Sequence, residues 1–168
     1  MAILSGPPER RLELTPLSYQ NPEYALGATT VETPSGDWDA NWLMIRINVA
    51  DETRQWSASG PAFTTWELSE IAGWFRAIGE RIPDVPSSSG SVEPNLQFVL
   101  HGVGDASQIQ VIFALEFAPP DGKHGETVSI VFQPATNDLQ RFADELEADL
   151  EGFPMRDRDP ASPRAARP

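Results

Sequence analysis

The chain contains no cysteine. That absence removes disulfides, thiol nucleophiles and thiolate metal sites together. Histidine is nearly as scarce: His101 and His124 are the only two, and they fall in separate segments. A zinc or iron site would have to gather its other ligands from afar, so no metal or other cofactor is expected. Bases are few as well. Twelve Lys and Arg stand against 25 Asp and Glu, a formal net charge of −13 over 168 residues. Beyond Arg156, three arginines outweigh Asp157 and Asp159 to give +1, so the rest of the chain carries −14. Such a body repels phosphate backbones, which argues against nucleic-acid binding, and it steers basic proteins toward itself. Ordinary solubility accounts for the same charge equally well. No segment approaches the ~20 apolar residues of a membrane span. Met1–Pro8 lacks the basic start and long apolar run of a signal peptide. A cytoplasmic location is the default expectation.

What the chain does have is enough apolar matter for one core. Hydrophobic residues make up 40% and aromatics 9%, which places it among globular rather than disordered sequences. Residues 1–8 are read as a flexible start, 9–156 as a single globular domain, and 157–168 as a disordered Pro/Arg tail. Glu9–Leu17 alternates Leu12 and Leu14 with Arg11 and Glu13 and reads as a strand ended by Pro16. Ala28–Glu32 is a possible short strand. Asn41–Ala50 is the clearest strand, with Leu43, Ile45, Ile47 and Val49 on one face. Thr53–Ser59 reads as its hairpin partner, and Gly60–Pro61 as a break.

Thr64 and Glu67 are spaced as a capping box, and the helix they open runs to about Ile78, with Gly79 as its stop. Leu68, Ile71, Ala72, Phe75 and Ile78 form its apolar stripe. Trp66 falls almost opposite that stripe, beside Glu70. Glu80–Pro94 is a Pro/Ser/Gly loop. Leu96–Leu100, Ile109–Phe117 and Val128–Phe132 read as further strands. A second helix starts near Asn137, with Gln140 as its capping-box partner, and ends at Gly152 and Pro154. Leu139, Phe142, Ala143, Leu146 and Leu150 form its buried stripe. The expected architecture is α+β: an antiparallel sheet of five to six strands packed by two amphipathic helices.

Catalytic patterns are weak. Gly102–Val103–Gly104 lacks the following helix that a phosphate loop needs. The serines of Ser87–Ser91 sit in a loop of linker composition, with no activating histidine beside them in sequence. Asp37 and Asp39 flank Trp38 and could act as a carboxylate pair, as glycosidases use. A turn that accepts local backbone hydrogen bonds is the preferred reading of the same residues. Trp42 and Trp56 are read as packing. The candidates for partner contact are Trp66 and Glu70 on the first helix, and Asp144, Glu145, Glu147 and Glu151 on the acidic second helix. A solvated face is the plainer reading of those acids.

Five stretches taken together carry a resemblance. Asp37–Trp38–Asp39–Ala40–Asn41–Trp42–Leu43 leads into Ile45 and Ile47. Thr65–Trp66–Glu67–Leu68 opens a helix that reaches Trp74–Phe75. Glu93–Pro94–Asn95–Leu96–Gln97–Phe98 begins a strand, and Leu115–Glu116–Phe117–Ala118–Pro119–Pro120 ends another. Phe153–Pro154–Met155–Arg156 closes the domain. In order and spacing these resemble the WapI-type immunity proteins of bacterial polymorphic toxin systems, over roughly residues 10–156. The resemblance implies a cytoplasmic antidote, not an enzyme, that binds and occludes the C-terminal toxin domain of a cognate toxin. In the namesake system that domain is a nuclease acting on RNA. A basic toxin would suit the acidity of this chain. A generic protein-interaction module with no toxin partner fits the composition too. A small hydrolase built on Asp37 and Asp39 is the third reading, and it requires the two carboxylates to converge.

Overall fold

A computed structural model describes residues 1–7, 9–22, 40–102, 107–121 and 126–156. The chain order is β1 (Ala2–Gly6), β2 (Arg10–Tyr19), β3 (Trp42–Ala50), β4 (Gln55–Thr64), α1 (Thr65–Gly79), β5 (Ser88–Gly90), β6 (Leu96–His101), β7 (Gln108–Phe113), β8 (Val128–Phe132) and α2 (Thr136–Leu150). The α+β class is as expected, but the single sheet is not. Two four-stranded antiparallel meanders form instead, β1-β2-β3-β4 and β5-β6-β7-β8. Hairpin-length connections fix antiparallel neighbours without saying which hairpins share a ladder. Here β4 runs straight into α1, so the ladder stops, and β5 opens a second one.

The first sheet gains a strand from an unexpected place. Ala2–Gly6, read above as a flexible start, pairs with β2 from Ala2↔Leu14 to Gly6↔Arg10. Ala2 and Leu4 are fully buried. The alternation of this short segment is what a half-buried edge strand requires. Two prolines also fail to end strands. Pro16 sits at a register shift in β2, which continues to Tyr19. Pro61 sits on β4, an edge strand, close to a register shift at Leu43/Met44. Bulges and edges are the positions where a missing N–H breaks no ladder.

The alternating faces converge on one core. Leu12, Leu14, Leu43, Ile45, Ile47 and Val49 from the first sheet join Leu96, Phe98, Ile109, Val111, Phe113, Ile130 and Phe132 from the second. Helix stripes complete it with Leu68, Ile71, Ala72, Phe75 and Ile78 from α1 and Leu139, Phe142, Ala143 and Leu146 from α2. Phe75 lies at the junction, edge-on to Phe98 at 5.3 Å and to Phe142 at 4.6 Å. Such edge-to-face pairs add to plain area burial. Two seams join the sheets. Trp56 on β4 donates its indole N–H to Phe117 O at 3.1 Å and stands edge-on to Phe113. At the other seam, Gly6 approaches the Gln133 backbone so closely that a Cβ would meet it at 3.0 Å.

The helix signals divide. At α1 both halves of the Thr64/Glu67 capping box form. The helix continues through Gly79, and Glu80 takes the C-cap. At α2 the N-cap is Ala135, with no side-chain cap, so the expected Asn137/Gln140 box is absent. The strand expected over Ile109–Phe117 stops at Phe113 and tightens into a 3₁₀ turn at Leu115–Phe117. The domain end is clasped to its middle. Asn41, fully buried, accepts from Arg156 N–H at 2.8 Å and donates to Arg156 O at 3.1 Å. The Arg156 guanidinium lies 3.4 Å above the Tyr19 ring, a cation–π contact.

Candidate partner-binding surface

The six residues singled out for partner contact are spread over α1 and α2, and several of them have partners inside the chain. α1 and α2 pack antiparallel: Gly79 sits against Gln140 and Leu139, while Arg76 reaches Asp144 and Glu147. Arg76 donates to Asp144 Oδ1 at 2.7 Å and to Glu147 Oε2 at 2.6 Å. The hydrogen bonds to Glu147 and Asp144 push the guanidinium pKa above its already high ordinary value. Glu145 accepts the Ile3 N–H at 2.8 Å and so holds β1. The chain's terminal amine pairs with Asp149. Three of the four singled-out acids of α2 therefore have partners inside the chain, and Glu151 is exposed at the helix end. Acids near a helix C-terminus oppose the macrodipole, so the nearby cations offset a real penalty.

On α1, Trp66 is half-buried and Glu70 is exposed. Glu70 lines a cleft of about 670 Å³ between α1 and the 82–91 segment, together with Trp74 and Pro86. Trp74 donates its indole N–H to Pro86 O at 2.8 Å, which fixes one wall. The opposite wall is β5, the outer strand of its sheet.

Glu67 has more roles than its spacing reveals. It is 5% exposed. Its Oε2 accepts from Thr64 N–H at 2.8 Å and Thr64 Oγ1–H at 2.9 Å. Its Oε1 accepts from Val92 N–H at 3.1 Å, and the Ser91 hydroxyl donates to the same carboxylate. One carboxylate thus starts α1 and ties down the loop that leads into β6. The serine of that loop nearest the acid is used as a strut.

That loop delivers Glu93 and Asn95 to a second cleft of about 400 Å³, also lined by Trp42, Pro61, Leu115 and Glu116. Asn95 is 2% exposed. Its Nδ2 donates to Pro61 O at 2.8 Å and to Glu116 Oε1 at 3.1 Å, which leaves Oδ1 buried with no hydrogen-bond partner. Trp42, expected to be core, is only partly buried. Leu115 holds a left-handed φ of 51° and is 59% exposed. A strained backbone that presents a large apolar side chain to solvent is uncommon. The alternation over Ile109–Phe117 hides this site by extending the strand through Leu115 and Glu116. The two prolines that follow them were the available sign that the ladder had ended.

Several candidates fall elsewhere. Asp37, Trp38, Asp39, His124, the Ala28–Glu32 strand and residues 157–168 lie outside the described residues. His101 is exposed, its Nε2 2.7 Å from Gln110 Oε1. Among the described residues no group of three or more His, Asp or Glu is placed to hold a metal ion. No helix among them is long and apolar enough to cross a membrane.

The family model described as "Immunity protein WapI-like family" matches residues 3–154. It therefore spans both sheets and both helices. No curated protein and no solved structure matches the chain.

Proposed function

Because the chain belongs to the WapI-like immunity protein family, we propose that it neutralises a cognate toxin by binding the toxin's C-terminal domain and occluding its active site. The observation that carries this reading is the family match across residues 3–154. The charge supports it. A nuclease holds phosphates with basic side chains, and a chain of net charge −13 complements such a site. The work is stoichiometric rather than catalytic, and the antidote acts in the cytoplasm of the cell that makes the toxin.

A standard interface buries about 800 Å² on each partner. Charge brings the partners together, but buried anchors hold them. The partly buried Trp42 and the exposed Val92 and Leu115 are large apolar groups near acidic residues. Steering by charge makes association slow as salt rises, because the Debye length falls from ~10 Å at 0.1 M to ~3 Å at 1 M. A salt-independent on-rate removes steering from the account.

The test is co-expression with the C-terminal domain of any large secreted protein encoded beside this gene. Restored growth together with a one-to-one complex supports the reading. Toxicity without rescue or binding overturns it for that partner. A complex without rescue favours the alternative, an interaction module with no antidote role.

A further inference from the structure

We infer that the outer edge of β5 receives an extended segment of the partner protein, which pairs with it as an added strand. The inference rests on the toxin-binding reading and names how the partner is held. β5 pairs with β6 through Ser88↔Val99, Ser89↔Phe98 and Gly90↔Gln97. In the same register, Leu100 N–H donates to Ser87 O at 2.8 Å. An antiparallel ladder alternates pairs that exchange hydrogen bonds with pairs that do not. Ser87 and Ser89 therefore direct their backbone groups at β6, and Ser88 and Gly90 direct theirs the other way. Pro86 precedes them in this alternation, and its carbonyl accepts the Trp74 indole N–H at 2.8 Å. That bond fixes where the outer side of the strand points. It points toward α1, across the cleft of about 670 Å³ that Trp74, Ser88 and Gly90 line.

The other outer strands are treated differently. The two sheets have four of them, β1, β4, β5 and β8. Glu145 on α2 accepts the Ile3 N–H of β1. Asn95 donates to the Pro61 carbonyl of β4. Arg10 donates to the Val131 carbonyl of β8. Along Ser88–Gly90 no side chain does the same among the described residues. β5 also lacks the lysine, proline or bulge that guards a bare edge. Its three residues make only a short ladder, so the walls of the cleft must add to it. Trp74 and the 46% exposed Ile82 line the cleft and offer apolar contact. Glu70 and Asp84 are exposed and line it too, whereas no Lys or Arg does. Those acids choose among extended segments; the edge is what binds one. A segment that alternates apolar and basic side chains fits, with main-chain bonds for affinity and alternate side chains for specificity.

The probe is a capped peptide of alternating valine and lysine, titrated into the full-length ¹⁵N-labelled protein. Its control has methylated backbone nitrogens, which keeps the side chains and charge and removes the pairing donors. Saturable shifts are expected at the Ser88 and Gly90 amides and the Trp74 indole N–H, and none with the control. Ser88→Pro deletes an outward N–H that β6 does not use, so the fold should hold. Peptide affinity should then fall about tenfold, the worth of one good hydrogen bond. Ser88→Ala keeps that N–H and should bind as the wild type does. A measurement on the wild type needs no variant. In its complex with the toxin domain, exchange of the Ser88 and Gly90 amides should slow about tenfold or more, while Ser89, already paired to β6, changes little. Shifts shared by the methylated peptide, shifts centred on β1, β4 or β8, affinity unchanged in a folded Ser88→Pro, or a free protein already paired to a second copy through β5 overturn the assignment. If the wild type protects cells while Ser88 and Gly90 exchange as in the free protein, the edge is lost and the immunity reading stands. If the wild type neither binds nor protects, the immunity reading is lost, and the peptide titration still decides the edge.

Discussion

Replacing Glu67 by alanine should destabilise the protein by about 1.5–3 kcal/mol, and the size follows from what its carboxylate holds. The first loss is the reciprocal half of the capping box, where Thr64 N–H and Oγ1–H donate to Oε2 at 2.8 and 2.9 Å. Loss of a cap contact is worth about 0.5–1 kcal/mol. The second is the Val92 N–H, which donates to Oε1 at 3.1 Å in a partly buried setting. Stranding a buried donor costs about 1–3 kcal/mol, and partial exposure places this one in the lower half. For a domain of this size each kcal/mol moves Tm by about 2–4 °C, so a fall of about 3–12 °C is expected in a thermal melt followed by circular dichroism. A double-mutant cycle with Thr64→Ala should show a coupling of about 0.5–1 kcal/mol, because the two side chains form one unit. Amide exchange at Val92 and Glu93 should quicken more than at the core strands. An unchanged Tm, or a loss of stability with no change in exchange at Val92, would refute the claim that this acid ties the loop to the helix.

Other perturbations probe other joints. Leu115→Gly relaxes a left-handed backbone and should raise stability by about 0.5–1 kcal/mol while weakening partner binding; calorimetry against the toxin domain reads both. Gly60→Ala puts a Cβ 2.9 Å from Glu116 Cγ, so Glu116 must swing off Asn95 Nδ2; the loss of that bond should cost about 1 kcal/mol and lower Tm by about 2–4 °C in a thermal melt. Arg76→Met removes two exposed ion pairs to α2 and should cost about 0.5–1 kcal/mol in urea unfolding at low salt, with the deficit shrinking at 1 M salt. Glu13 has its pKa lowered by hydrogen bonds from Asn48 and Arg11. Its contribution is therefore full above the ordinary value of 4.5 and lost as the pH falls through its lower folded-state pKa. Glu13→Gln should flatten the stability profile in that acidic window, and an identical profile would show that the pairing adds nothing.

The sequence by itself determined the elements whose instructions are local. Alternation over Leu43–Val49 specifies a strand with one buried face, and Leu43, Ile45, Ile47 and Val49 are all buried. The Thr64/Glu67 spacing specifies a helix start, since a side chain three positions along can reach back to the cap. The stripes Leu68–Ile78 and Leu139–Leu146 specify helices that must cover a sheet. Five stretches in order also carried the family resemblance, which the match over residues 3–154 bears out.

Tertiary structure alone decided what depends on contacts between distant residues. Ala2–Gly6 is a strand because β2 offers it an edge, not because of its own composition. Pro16 and Pro61 sit within strands because a bulge and an outer edge remove the need for their N–H groups. One sheet became two because α1 intervenes between the hairpins. Asp144, Glu145 and Glu147 looked free along the chain, yet each finds Arg76 or the Ile3 N–H across the fold. The second cleft arises the same way. Trp42, Asn95 and Leu115 are far apart in sequence, and only the seam where β4 meets the turn after β7 sets them beside one another. Periodicity reports which face of an element seeks burial, whereas the partner that covers it, and the polar atom left without one, are properties of the packed whole.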